Sequence, residues 1–209
     1  MGDCIEESLI ETSQGRLYLK KNLKGKGVPI VLLHGFSFTS DVWGNIGLYG
    51  ELCRRKISFV APDMPYGVKV KRSFRARSIE RNIEALREAL GELDVTQAYL
   101  VGASLGGYAA LRYTVTFDRV VGMTLIAPVN SLEDDIIDYM RETGIHVLVV
   151  YGSRDNIVDI EEMKKFVEEV GNAELKIYEN APHPAYLAYP ERFREDLIRH
   201  YAESIQGGV

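Results

Sequence analysis

The chain has 209 residues, 46% of them hydrophobic and 26% charged, with a formal net charge of −5. There is enough apolar material for a sizeable core, as in an ordinary soluble globular protein. The acidic balance argues against wholesale nucleic-acid binding, which needs a basic surface, so any phosphate-binding site has to be local.

Residues 1–10 include Asp3, Glu6 and Glu7 and lack the basic-then-apolar pattern of a signal peptide. No apolar run reaches the roughly 18 residues of a membrane span. Gly2 follows Met1, but Glu6 stands where a myristoylation pattern needs Ser or Thr. Cys4 and Cys53 are far apart and form no CxxC pair, which suggests neither a metal site nor a disulfide framework. The expectation is two reduced thiols in a cytoplasmic protein that associates with neither membrane nor nucleic acid.

No repeat, low-complexity segment or linker divides the chain, which reads as one domain over 1–209. Ser8 to Thr12 and Arg16 to Lys20 read as two strands around a Gln14-Gly15 turn. After a loop at 22–27, strands and helices alternate. The continuous apolar run Pro29 to Leu33 suits a strand buried on both faces of a parallel sheet. Ser40 or Asp41 can cap a helix running to about Lys56, and Ile57 to Ala61 is the next strand. Ser78 caps a helix to Leu90, with Ile79, Ile83, Leu86 and Leu90 at helical spacing. Gln97 to Val101 is a strand, and a helix follows Ser104. Val120 to Ala127 is a strand, Ser131 begins a helix, and Ile145 to Tyr151 is a strand. Ile160 to Val170 is a helix ended by Gly171, Leu175 to Tyr178 a strand, and Pro190 to about Ser204 the last helix. The alternation predicts a mostly parallel sheet with helices on both faces and an N-terminal antiparallel hairpin. Ligands in such sheets bind beyond the carboxyl ends of the strands, so the chemistry is sought there.

After the strand at 97–101 comes Gly102-Ala103-Ser104-Leu105-Gly106, a G-x-S-x-G with a strand before it and a helix after it. A serine on so sharp a turn stands clear of the backbone, and a β-carbon at 102 or 106 would crowd it. The helix that follows points its free N–H groups and positive end toward Ser104, where an oxyanion forms. A serine hydroxyl needs a base. Of the four histidines, His146 opens a buried strand and reads as core, and His200 in the last helix reads as exposed. His183 lies between Pro182 and Pro184 in a loop they stiffen, and is the candidate base. The base needs an acid to hold its tautomer. Asp155, in Gly152-Ser153-Arg154-Asp155, follows a strand at the right edge of the sheet. Asp159 is the fallback and suits a helix cap better. Asp134, Asp135 and Asp138 belong to a polar helix face, and Asp118 sits at the wrong end of the sheet. The two oxyanion donors are the N–H of Leu105 and, in the loop His34-Gly35-Phe36, the N–H of Phe36. Gly35 permits close approach, and His34 reads as an organiser of that loop.

Together these stretches resemble the α/β-hydrolase superfamily over almost the whole chain, and Ala61-Pro62-Asp63-Met64-Pro65-Tyr66-Gly67 falls in the expected order among them. His34 to Trp43, the Asp63 turn and His183 to Pro190 are similar to the small, lidless branch known as the abhydrolase-domain-14 family. Tyr66 departs from that pattern, standing where a glycine is common, and implies a differently shaped loop. Asp63 reads as structural. The resemblance implies an α/β-hydrolase fold without a cap domain, since only 128–144 separate two strands where relatives carry an insertion.

The implied function is a serine carboxylesterase that cleaves short-chain acyl esters through an acyl-enzyme, with Ser104, Asp155 and His183 as its triad and no metal. Gly35, Phe38 and Tyr186 are candidates for the substrate pocket. Lys69, Lys71, Arg72, Arg75 and Arg77 crowd one loop on the site's side of the sheet. They read either as a solvated polar loop or as an anion site suited to coenzyme A, in which case the reaction is thioester hydrolysis or acyl transfer. No cofactor is required in the first reading. A rival of another class is a hydrolase fold used only for binding.

Overall fold

A computed structural model describes residues 4–206; Gly2, with the myristoylation reading made on it, lies outside them. An eight-stranded sheet has the order β1 (Glu6–Thr12), β2 (Gly15–Asn22), β4 (Ile57–Pro62), β3 (Lys26–Leu33), β5 (Ala98–Ala103), β6 (Val120–Ile126), β7 (Val147–Gly152), β8 (Ala173–Tyr178). The pairs β1–β2 and β2–β4 are antiparallel, and every pair from β4 onward is parallel. The expected hairpin therefore extends the parallel sheet at one edge. Its strands run further than the sequence suggests. The loop expected at 22–27 shrinks to 23–25, because β2 runs through Asn22 and Lys26 pairs with Ile57 ahead of the apolar run.

Side chains alternate across the sheet with period two. Val31, Leu33, Leu100, Val147 and Val149 join a core under α3 (Ile79–Glu92), α4 (Leu105–Phe117), α5 (Asp134–Thr143) and α6 (Ile160–Val170). Ile30, Leu32, Tyr99, Val101, Leu148 and Val150 face the other core. That core is covered by α1 (Asp41–Asn45), α2 (Leu48–Arg55), α7 (Ala185–Ala188) and α8 (Pro190–Gln206). Helices thus cover both faces, as the continuous apolar strands require.

Four expectations change. The single helix expected from 40 to 56 is two helices, broken at Gly47, which has φ 72°. The helix expected from Ser131 begins at Asp134; Ser131 is buried and donates to Glu162 at 3.3 Å. His200 is buried rather than exposed: it accepts from or donates to the Tyr99 hydroxyl at 2.6 Å and stacks near His146, with ring centroids 4.0 Å apart. Cys4 and Cys53 are not free thiols but a disulfide. The bond ties the segment before β1 to the last turn of α2, a proximity created by the β1–β2–β4 edge and invisible in the linear spacing. It also removes the cysteine argument for a reducing compartment.

Between β6 and β7 the chain makes only α5, ten residues long, so no cap domain covers the sheet edge. Among the described residues no helix is long and apolar enough to cross a membrane.

Candidate active site

Four loops meet at the carboxyl edge of the parallel strands. They follow β3, β5, β7 and β8 and carry Gly35–Phe36, Ser104, Asp155 and His183.

Ser104 joins β5 to α4 with φ 53° and ψ −116°, backbone space that a non-glycine residue enters only under constraint. The constraint is visible. Its N–H donates to the Ile126 carbonyl at 2.8 Å, and its carbonyl accepts from Gly107 at 2.9 Å and Tyr108 at 3.1 Å. A β-carbon at Gly102 would run into the backbone of Gly106, and one at Gly106 into the carbonyls of Leu33 and His34. The two glycines thus let β3, β5 and α4 close around the serine. The N–H groups of Phe36 and Leu105 are not spent on hydrogen bonds among the described residues.

His183 Nδ1 lies 2.6 Å from Asp155 Oδ2, while its Nε2 is buried with no hydrogen-bond partner among the described residues. The Asp155 side chain is fully buried and also accepts from the N–H groups of Ile157 at 2.8 Å and Val158 at 3.1 Å. Burial pushes its pKa upward, but the hydrogen bond from His183 and the two backbone donors outweigh it and hold the carboxyl below its ordinary range. Asp159 takes the other role open to it: it caps α6, accepting from the Glu161 N–H at 3.0 Å.

His34 is buried and bridges two loops. Nδ1 lies 2.8 Å from the Gly35 carbonyl, and Nε2 accepts from the Met64 N–H at 2.9 Å. That pattern requires the proton on Nδ1. Burial drives its pKa down to about 4, so the ring is a neutral brace for the Gly35–Phe36 loop. Tyr66 serves the same loop, donating from its hydroxyl to the His34 carbonyl at 2.6 Å. This is what the tyrosine does where a glycine is common. Asp63 is buried and holds Ser40, through its N–H at 2.9 Å and hydroxyl at 2.7 Å, together with Arg72 at 2.7 Å.

Ser104 and His183 share a cavity of about 240 Å³ with Gly35, Phe36, Phe38 and Tyr186. Ile126 and Ile157 also line it. Sequence reading had no signal for them: Ile126 ends a strand like any core residue, and Ile157 is 64% exposed. On the far side of Phe36 and Leu105 a second groove of about 560 Å³ reaches Arg75 and Arg77. The basic loop is divided. Arg72 is bound by Asp63 and Asp41, and Arg75 donates to the carbonyls of Gly67 and Val70. Lys69 sits 5.9 Å from the Phe38 ring. Lys71 and Arg77 make no ion pair among the described residues.

Residues 30–142 match the model of the alpha/beta hydrolase family, and the chain belongs to that family. Within it the chain is similar to the ABHD14 proteins. It is 32% identical over 173 residues to human ABHD14A, covering 82% of this chain and 63% of the human one. It is 24% identical over 201 residues to ABHD14B of Rattus norvegicus, named as a candidate protein-lysine deacylase, covering 93% and 94%. The crystal structure of a predicted CIB-like hydrolase from Thermoplasma acidophilum superposes with a TM-score of 0.82 at 27% identity, over 96% of this chain and 98% of that one.

Proposed function

We propose that the protein is a serine carboxylesterase that cleaves short-chain acyl esters through an acyl-enzyme. One observation carries this reading. His183 commits Nδ1 to Asp155 and leaves Nε2 buried and uncommitted in the cavity that holds Ser104. In this mechanism Nε2 takes the Ser104 proton as Oγ attacks the ester carbonyl. Asp155 stays ionised and stabilises the imidazolium. The amides of Phe36 and Leu105 hold the oxyanion. His183 then passes the proton to the leaving alkoxide, and water, deprotonated by the same imidazole, releases the acid.

A cavity of about 240 Å³ suits a short acyl chain, with Gly35, Phe38 and Tyr186 as its walls. The leaving group or acceptor then lies across Phe36 in the second groove. Arg77 at that groove favours a second reading, in which the acceptor is an anionic thiol such as coenzyme A and the reaction is thioester hydrolysis or acyl transfer. With Arg72 and Arg75 held internally, that reading now rests on Arg77 and Lys71. Cleavage of acyl-lysine, the activity in the name of rat ABHD14B, uses the same acyl-enzyme with an amine leaving.

Rates on p-nitrophenyl acetate and acetyl-coenzyme A test both readings in one experiment. The wild type is expected to favour the ester, and Ser104→Ala to lose roughly 10⁴-fold or more in kcat/KM. A fluorophosphonate probe is expected to label Ser104 in the folded wild type. An unlabelled serine with undiminished hydrolysis in Ser104→Ala would overturn the triad.

A further inference from the structure

The acyl cavity has largely apolar walls, with one buried polar exception that its chemistry leaves unused. Beside Ser104 and His183, the polar side chains along it are Ser37, which is exposed, and Tyr186. Tyr186 is 1% exposed, and its hydroxyl is buried with no hydrogen-bond partner among the described residues. Its ring is clamped by Trp43, centroid to centroid 5.2 Å, and Phe193, 5.7 Å. The hydroxyl is therefore held by packing and cannot swing out to solvent. A buried hydroxyl left unpaired is costly, and native proteins give nearly all such groups a partner. Phenylalanine would pack the same ring without that cost.

We propose that Tyr186 is a specificity-determining residue whose hydroxyl donates to a neutral oxygen on the acyl chain, so that the preferred substrates are esters of short oxygenated acids. This rests on the acyl-enzyme reading above and adds the substrate class to it. The oxygen is an acceptor because a phenol donates better than it accepts, and burial raises the Tyr186 pKa, keeping its proton in place. The oxygen is neutral because, among the described residues, no lysine or arginine lines the cavity to balance a carboxylate. Trp43 also has an unpartnered indole N–H, but it does not line the cavity and takes no part.

The test compares esters of equal size in wild type and Tyr186→Phe, which keeps the ring and its packing. One pair is p-nitrophenyl methoxyacetate against butyrate. The other is 4-oxopentanoate against 4-methylpentanoate, which places the oxygen further along the chain. The readout is the oxygenated-to-hydrocarbon ratio of kcat/KM, compared between the two proteins so that intrinsic ester reactivity cancels. The ratio is expected to fall roughly 3- to 10-fold in Tyr186→Phe for at least one pair. Unchanged ratios in both pairs, with Ser104-dependent hydrolysis intact, overturn the proposal and leave the esterase reading standing. An equal loss on all four esters marks a packing role and also overturns it. Absence of Ser104-dependent hydrolysis on every ester removes the esterase reading, and this proposal with it.

Discussion

His34 illustrates how a residue close to the chemistry works through its neighbours. A ring that donates to Gly35 and accepts from Met64 fixes the loop only while it is neutral. Its pKa is about 4 in the folded chain against an ordinary 6.5, so the unfolded chain binds the proton first as pH falls. The stability His34 contributes is complete above pH 6.5 and is lost as pH falls through about 4. The shift corresponds to about 3 kcal/mol. Urea unfolding at stepped pH is expected to show this loss, and the His34 ring resonance to stay in its neutral position down to pH 5. His200, lowered to about 3 by burial, acts with the same sign. Neither effect is legible in the sequence, where the two rings read as a loop brace and an exposed helix residue. Burial is a property of what packs on a residue, not of its own neighbours in the chain.

At the scale of elements, local chemistry and tertiary packing can be separated. The caps are local. Ser78 accepts from the Arg81 N–H at 3.2 Å and Asp159 from Glu161, and both starts are readable from residue type alone. Asp159→Ala is therefore expected to cost about 1 kcal/mol of stability and to leave kcat within about twofold. Chemical denaturation with steady-state kinetics on the same preparation checks it. A large loss of kcat with intact stability would move the acid from Asp155 to Asp159. The break between α1 and α2 is not local in the same way. Gly47 is a visible breaker, but the turn is held from outside, where Arg194 of α8 donates to the Ile46 carbonyl. Trp43 on α1 packs against Tyr186 and Phe193. The short helices thus serve as a wall behind Tyr186 and the cavity that holds Ser104.

Across the whole molecule, the antiparallel edge and the disulfide belong together. The Cys4–Cys53 bond spans 49 residues and fastens the hairpin and α2 to one another. A loop of that length is worth about 4 kcal/mol in the chain-entropy account, and about 2–4 kcal/mol is typical. Reductant is expected to lower the unfolding free energy of the wild type by that amount, seen as a lower urea midpoint at unchanged slope. Cys53→Ser, already lowered, is expected to be indifferent to reductant. Equal midpoints for oxidised and reduced wild type would show that the bond does not stabilise the fold. The candidate site lies at the opposite strand ends from the Tyr99–His200–His146 cluster, so the sheet separates the edge that carries Ser104, Asp155 and His183 from a packed polar one.

The alternation of strands and helices, the sharp turn at Ser104, and the order in which Ser104, Asp155 and His183 occur are legible from the residues alone. Each is written in residues a few positions apart: continuous apolar runs, caps, and glycines that only a tight turn requires. Tertiary structure decided what depends on residues distant in the chain. It set Asp155 against His183 across the adjacent β7 and β8 loops. It joined Cys4 to Cys53 and spent Arg72 and Arg75 on internal partners. It buried His200, and closed Tyr186 into a cavity with nothing to receive its proton. Proximity in three dimensions is set by strand order and packing, and no spacing along the chain encodes it.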